Sequence, residues 1–310
     1  MDRKKERMGT LILIIGCTFW GLSGTCGQYL FSNKGIESAW LVMARTVISG
    51  IVLSAVCLVR RDKNYFRIWK NKGDILRLFI FSFFGLLLSQ YSYLTAIYYT
   101  NAGTATILQQ VSPVIIIAVL CIRQKRLPEK KETICIILAL AGSYLIATKG
   151  NPASLALSPW GLFWGFMSAA GVVTYSFTSQ RLVLKYGSIP VTAQGMLISG
   201  IVFALISGQY RVRAEIDIQM IFPLFGVIIL GTVLAYTMFM AGVSRCGPFK
   251  AAVLGTIEPI SAVVFSCVWM KTQITVYDII GGIMILSLVI IQNLPAKKAG
   301  NVQPEEDGKG

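Results

Sequence analysis

Long apolar runs without a single charge dominate the chain, among them Gly9 to Ser32, Ile134 to Thr148 and Ser188 to Tyr210. A helix of about 20 apolar residues matches the hydrocarbon thickness of a bilayer. Punctuating the runs at charges, glycines and prolines predicts ten spans, at about 9–31, 37–59, 75–97, 101–121, 133–148, 159–180, 190–208, 220–241, 250–269 and 275–294. The pattern predicts an all-α integral membrane protein with short loops and no room for an extramembrane domain. The opening Met1-Asp2-Arg3-Lys4-Lys5-Glu6-Arg7 before an apolar run has the outline of a signal peptide. No A-x-A-like cleavage site follows it and nine further spans do, so it reads as a cytoplasmic N-terminus, residues 1–8.

Composition agrees with the pattern. Of 310 residues, 55% are hydrophobic and 14% charged, against about 25% charged in soluble domains, and mean hydropathy is +0.65. A soluble enzyme is excluded. A net charge of +15 would suggest nucleic acid in a soluble protein, but the basic residues sit in loops between spans. With the N-terminus inside, 23 of the 29 fall on the cytoplasmic side, five (Lys34, Lys149, Arg211, Arg213, Lys271) on the other, and Arg45 within a span. This bias places both termini in the cytoplasm, in a cell (inner) membrane, and removes nucleic acid as a partner. The segment Asn64–Lys70 mixes aromatic and basic residues at a cytoplasmic edge, as an ordinary positive-inside loop or a headgroup-level contact with anionic lipid would. The tail 295–310 has no apolar anchor and reads as disordered.

Residue usage narrows the chemistry. There is no histidine, and none of the seven cysteines forms a CxxC pair, so no metal site, disulfide framework or histidine-based triad is readable. Neither GxxxxGK[ST] nor GxGxxG occurs, so no ATP or other cofactor is expected.

The chain also repeats itself. Phe19-Trp20-Gly21 returns as Phe163-Trp164-Gly165, Ile48-Ser49-Gly50-Ile51-Val52 as Ile198-Ser199-Gly200-Ile201-Val202, and Val111-Ser112-Pro113 as Ile257-Glu258-Pro259. Cys121 and Cys267 each follow eight residues after their proline's word begins to close, at Pro113 and Pro259. The order is preserved and the offset nearly constant, so the chain divides into repeats at 9–148 and 159–294, joined by a linker at 149–158. A unit of five spans is odd, so the second copy enters the membrane from the opposite side. Inverted repeats of this kind build secondary transporters, with the substrate site near the midplane between the halves.

Two five-span repeats, the Phe-Trp-Gly opening of each, Arg45 and the late prolines together resemble the drug/metabolite transporter superfamily, EamA type, over about residues 9–294. The resemblance implies ten helices, a central cavity formed mainly by spans 1, 3, 4, 6, 8 and 9, and export or exchange of small metabolites, with amino-acid exporters the nearest analogy. Members often carry a glutamate in a Gly-Glu-like motif after spans 4 and 9. Here Ile122–Leu127 and Trp269–Ile274 hold no acid, so no coupling role passes to those positions.

Glu258 is the only acid deep in a span. A charge there costs about 2.5–3.5 kcal/mol on insertion scales, so it faces a cavity or a partner. It reads as a site for a substrate amine or a coupling proton, or as a buried structural group. Arg45, the only deep basic residue, can grip a carboxylate with its forked guanidinium, or serve structure by snorkelling, by pairing with Glu258 or by bonding to carbonyls. Pro113 and Pro259 predict helix breaks at matching positions, freeing the carbonyls of Gln109 and Gly255. Trp20, Gln90, Tyr91, Gln109, Trp164 and Tyr236 complete the candidate cavity lining, with core packing as the competing role.

The expected function is a secondary transporter, an exporter or exchanger, moving a small metabolite such as an amino acid by alternating access, with proton coupling through Glu258 as one mode. Export of cationic drugs or quaternary amines is the alternative within transporters. A receptor, a scaffold or an integral-membrane transferase are the alternatives outside them, and the pattern leaves monomer and homodimer both open. The charge bias makes a direct prediction. On intact cells, a membrane-impermeant thiol reagent should label a cysteine placed at Lys34 or Arg211 and spare one at Lys63 or Lys125; the reverse pattern would invert the orientation.

Overall fold

The computed structural model describes residues 3–151, 156–212 and 215–293, and its regular structure is helical throughout. The helices are α1 (Arg3–Lys34), α2 (Ser38–Val59), α3 (Lys63–Arg67), α4 (Lys72–Ile80), α5 (Leu88–Tyr99), α6 (Ala102–Gln109) and α7 (Ser112–Gln124). There follow α8 (Lys130–Thr148), α9 (Pro159–Tyr186), α10 (Ser188–Ser207), α11 (Ile218–Phe225), α12 (Ala235–Gly255), α13 (Ile257–Val268) and α14 (Val276–Asn293). Two π-helical stretches, Phe81–Leu87 and Gly226–Leu234, join α4 to α5 and α11 to α12. The expected tail at 295–310 and part of the linker, 152–155, lie outside the described residues.

Among the described residues seven helical stretches are long and apolar enough to cross a membrane: Arg7–Lys34, Ser38–Val59, Lys72–Tyr99, Ala102–Gln124, Lys130–Thr148, Ser188–Ser207 and Ile218–Val243. Val253–Val268 and Val276–Ile291 are apolar but shorter. Helix α9 is 28 residues long, with a polar second half from Thr174 to Arg181. The chain is a multi-pass membrane protein.

Short polar side chains start the helices where the sequence changes from loop to apolar run. Asn71, Asn101 and Asp217 accept hydrogen bonds from the first free backbone N–H groups of α4, α6 and α11, and Ser158 does so for α9 just ahead of Pro159. These caps satisfy donors that have no partner inside the helix. Gly187, at φ +88°, makes the turn from α9 to α10, where a side chain would be strained.

Helices of the first half pack on helices of the second, α1 running antiparallel to α12 and parallel to α13. Helix α1 lies along the Gly226–Leu234 stretch and α12, and α9 lies along the Phe81–Leu87 stretch and α5. Helix α2 pairs with α10, α8 with α14, and α6 with α13. Glycines set the closeness of each crossing, as small residues do where lipid provides no hydrophobic drive between helices. A Cβ on Gly50 would stand 2.7 Å from the backbone N of Leu197, and one on Gly200 would stand 2.8 Å from that of Val47. Ion pairs follow the same correspondence. Lys34 at the end of α1 meets Asp217 ahead of α11, while Lys185 at the end of α9 meets Asp74 in α4. The Lys34 ammonium holds the Asp217 carboxyl below the usual aspartate range, so this contact is lost only as pH falls through that lowered value.

The connection expected at 242–249 is helical, α12 continuing to Gly255. Its direction against α1 nevertheless reverses there. Gly9 lies against Arg245 and Gly16 against Met238, whereas Gly21 lies against Glu258 and Gln28 bonds to Ser266. Packing partners along α1 therefore run backwards to Arg245 and forwards from Glu258.

These crossings should not tolerate a methyl group. Gly50→Ala and Gly200→Ala should each destabilise the protein by about 1–3 kcal/mol, read as a lower thermal midpoint in detergent. Gly255→Ala, which meets nothing within 4 Å, should leave the midpoint in place.

Candidate functional site

Both late prolines sit just after short interruptions of a helix, at Gln110–Val111 and at Thr256. Helix α6 ends at Gln109 and α7 restarts at Ser112 with Pro113 in its first turn. Helix α12 ends at Gly255 and α13 restarts at Ile257, with Glu258 and Pro259 in its first turn. Proline suits a first turn because its missing N–H needs no partner there. Tight i→i+3 bonds close the ends: Gln110 N to Ile107 O at 3.0 Å, and Thr256 N to Val253 O at 3.2 Å. The second break sets Glu258 at a helix N-terminus, where the backbone dipole favours negative charge.

Between the two breaks lies a cavity of about 230 Å³, lined by Trp20, Arg45, Leu86, Ser89, Gln90, Tyr93, Gln109, Gln110, Ser112, Val172, Tyr175, Met196, Tyr236 and Glu258. Nine helices and one π-helical stretch contribute. Trp20 packs on Phe239 at 4.9 Å between ring centroids and edge-on to Tyr236 at 5.9 Å, and Tyr236 meets Tyr175 at 6.5 Å, giving one aromatic wall. Gln90, Gln109 and Gln110 supply amide groups.

Arg45 is buried, and its guanidinium is only partly satisfied. Nε donates to Thr232 Oγ1 at 2.7 Å and Nη2 to the Gly231 carbonyl at 3.5 Å, while Nη1 has no partner. Thr232 Oγ1 in turn donates to the Val227 carbonyl, and Ser49 on α2 donates to the Ile228 carbonyl. The i→i+5 pattern of the Gly226–Leu234 stretch leaves carbonyls for side chains to use, a common reason for such stretches to occur at functional sites. In the other half the Phe84 carbonyl accepts from Thr174. Glu258 accepts no hydrogen bond and joins no ion pair among the described residues, Arg45 included, although both line the same cavity.

The cavity is sealed at one end. Where α1 finishes, Leu30, Phe31, Ile36, Leu41, Leu94, Ile97 and Met220 form a continuous apolar cluster. Beside it, buried Gln28 joins three elements: its Oε1 accepts from Ala102 N and Ser266 Oγ, each at 3.0 Å, and its Nε2 donates to Thr272 Oγ1 at 3.1 Å. Toward the opposite end, where α1 begins, Tyr175 is shared with a second hollow of about 450 Å³ between α7, α9 and α12, reaching Ile116, Gln180, Leu184 and Met240. The residue in α9 that matches Gln28 by the Phe-Trp-Gly offset is Val172, which has no polar group to make such a junction.

Of the residues singled out from sequence, Trp20, Arg45, Gln90, Gln109, Tyr236 and Glu258 meet in this cavity. Tyr91 and Trp164 do not: they pack edge to face at 5.3 Å against the apolar cluster that closes the sealed end. Pro113 adjoins the cavity through Ser112, and Pro259 faces a separate apolar groove with Ile260 and Ile283. Sequence reasoning missed Tyr175, Met196 and Thr232. Thr232 had a signal, since Arg45 is the one charged residue within α2 and needs a partner. Tyr175 and Met196 had none, because their neighbours come from distant segments.

The EamA-like transporter family matches the chain twice, over residues 7–148 and 159–293. The inner membrane transporter YicL of Salmonella typhimurium, itself uncharacterized, is 33% identical over 292 residues, which is 94% of this chain and 97% of that protein. The transporter YcbK of Bacillus subtilis, also uncharacterized, is 20% identical over 90% of both chains. A solved crystal structure superposes with a TM-score of 0.61 at 16% identity, covering 92% of this chain and 96% of the other, and so shares its fold.

The Gln28 junction is open to test. Gln28→Ala should leave Ala102 N–H and Ser266 Oγ without their acceptor, costing about 1–3 kcal/mol for each buried group left unpaired. Labelling of Cys26, which is fully buried two residues away in α1, by a membrane-impermeant maleimide should then accelerate. Unchanged labelling would mean that apolar packing alone seals this end.

Proposed function

The chain belongs to the EamA-like transporter family, and from that premise we propose that this membrane transporter moves a small zwitterionic metabolite, of amino-acid type, outward or in exchange by alternating access. The observation that carries this reading is the pair of incompletely satisfied charges in one cavity, the free Nη1 of Arg45 and the unpaired carboxylate of Glu258. Buried charge is retained where a partner completes it. A substrate carboxylate would complete the guanidinium, and a substrate ammonium the glutamate, with the Trp20–Tyr236 wall packing on the body of the molecule.

Ten spans in two inverted five-helix repeats, at 9–148 and 159–294, fit the cross-half pairing of the helices. Both termini lie in the cytoplasm in this reading, which makes the sealed end the outer one and gives a cytoplasm-facing cavity. Alternating access then requires the Gln28 junction and its apolar cluster to part while α7, α9 and α12 close. A proton can travel on Glu258 when no ammonium holds it. Drug-sized cations are the weaker reading: the cavity volume of about 230 Å³ falls below the roughly 300–1,000 Å³ of drug-sized sites, and Arg45 would repel them.

Counterflow in proteoliposomes tests this directly. Protein preloaded with amino acids, amines or nucleosides should accumulate the labelled compound for the zwitterions only. Arg45→Gln should weaken counterflow of zwitterions by about tenfold or more through loss of a charge-assisted bond. Glu258→Gln should abolish the pH dependence of net flux while leaving the protein folded. Counterflow of amines with zwitterions inert would overturn the substrate class, and an unchanged pH profile in Glu258→Gln would overturn proton carriage by that residue.

A further inference from the structure

The connection from α2 to α4 is built rather than slack. Asp62 caps α3 by accepting from Asn64 N at 2.9 Å, and Ile68 is fully buried. The Tyr65 hydroxyl donates to Ser54 Oγ at 3.0 Å, and the buried amide of Gln194 on α10 donates to the Tyr65 carbonyl. A few residues on, buried Asp74 accepts from Lys185 and Tyr186 at the end of α9. The segment therefore lies as a strap across both halves of the bundle.

Its other face is unpartnered. Phe66 is 60% exposed and Trp69 45% exposed; three residues apart in a helical turn, they point the same way. Around them stand six exposed basic residues within thirteen positions: Arg60, Arg61, Lys63, Arg67, Lys70 and Lys72. Among the described residues none of the six side chains makes an ion pair or a hydrogen bond. The strap joins the ends of two membrane-crossing helices, Ser38–Val59 and Lys72–Tyr99, with few residues between, which sets it at the level of the lipid headgroups. Aromatic rings at an interface with free cations beside them suit a bilayer surface carrying negative charge.

We propose that residues 60–72 form a binding surface for anionic phospholipid headgroups, with Phe66 and Trp69 entering the acyl boundary and the six cations holding phosphate. Because the strap is bolted to α9 and α10, bound lipid bears on the helices that line the cytoplasm-facing hollow. The surface depends on membrane embedding and not on the substrate class.

Trp69 reports the contact. Full-length protein is reconstituted in phosphatidylcholine vesicles doped with brominated phosphatidylglycerol or, separately, brominated phosphatidylcholine, and Trp69 emission is taken as the difference between the native protein and Trp69→Phe. Quenching should be about threefold stronger with the anionic lipid, and the preference should shrink as salt is raised. Arg67→Gln/Lys70→Gln/Lys72→Gln should remove the preference, whereas the charge-keeping Arg67→Lys/Lys70→Arg should retain it, separating charge from folding. Equal quenching by the two lipids, or no quenching, would overturn the proposal, and neither result depends on measured flux.

Discussion

Inside a bilayer there is no water to accept or donate hydrogen bonds, so every backbone group must find a partner within the protein or beside a wet cavity. This constraint makes the described chain helical throughout and makes its departures from regular helix informative. The departures come in pairs: the breaks at Gln110–Val111 and Thr256, and the π-helical stretches Phe81–Leu87 and Gly226–Leu234. The breaks border the cavity. The π-helical stretches have carbonyls that side chains of neighbouring helices cap, Thr174 on one and Arg45 with Ser49 on the other. Irregular backbone is thus confined to places where a polar partner or a cavity can satisfy it.

The halves correspond in packing but not in chemistry, and the difference lies at the site. The positions matching Arg45 and Glu258 by the repeat offsets are Gly195 and Ser112. Gly195 packs closely on Phe81, where no long side chain fits. Each half therefore supplies one charge, and the two come from different elements. The same holds for the ends: Gln28 makes a three-way polar junction at the sealed end, and its counterpart Val172 lines the cavity. Under the proposed alternating access, ends held by different interactions would give the two open states unequal populations, with the Gln28 hydrogen bonds favouring the state sealed beside them.

Arg45 is held by structural bonds yet keeps one donor free toward the cavity, as the proposed substrate-binding role requires. Its bonds to Thr232 and Gly231 fix the guanidinium against the π-helical stretch and settle the side chain's position without a salt bridge to Glu258. One nitrogen is left over. A pre-positioned donor of this kind loses little side-chain freedom on binding, which is why a buried arginine held by neutral partners serves recognition better than one already neutralised by an acid.

The sequence by itself determined the membrane class, the helix-forming runs, the repeated words and the two charges that stand out from them. These follow from local rules: bilayer thickness, charge exclusion and the offset between copies. Trp20, Gln90, Gln109 and Tyr236 were legible as polar or aromatic residues near the breaks. Only the tertiary structure decided that Tyr91 and Trp164 pack at the sealed end instead, that Tyr175 and Met196 line the cavity, and that Thr232 is the partner of Arg45. The prolines announced irregular backbone, but what each interruption would face depended on the neighbouring helices. The reason is common to all of these. Which face of a helix meets a cavity is set by the tilt and closeness of helices from the other half, fixed by glycine contacts more than a hundred residues apart in the chain, such as Gly50 with Leu197.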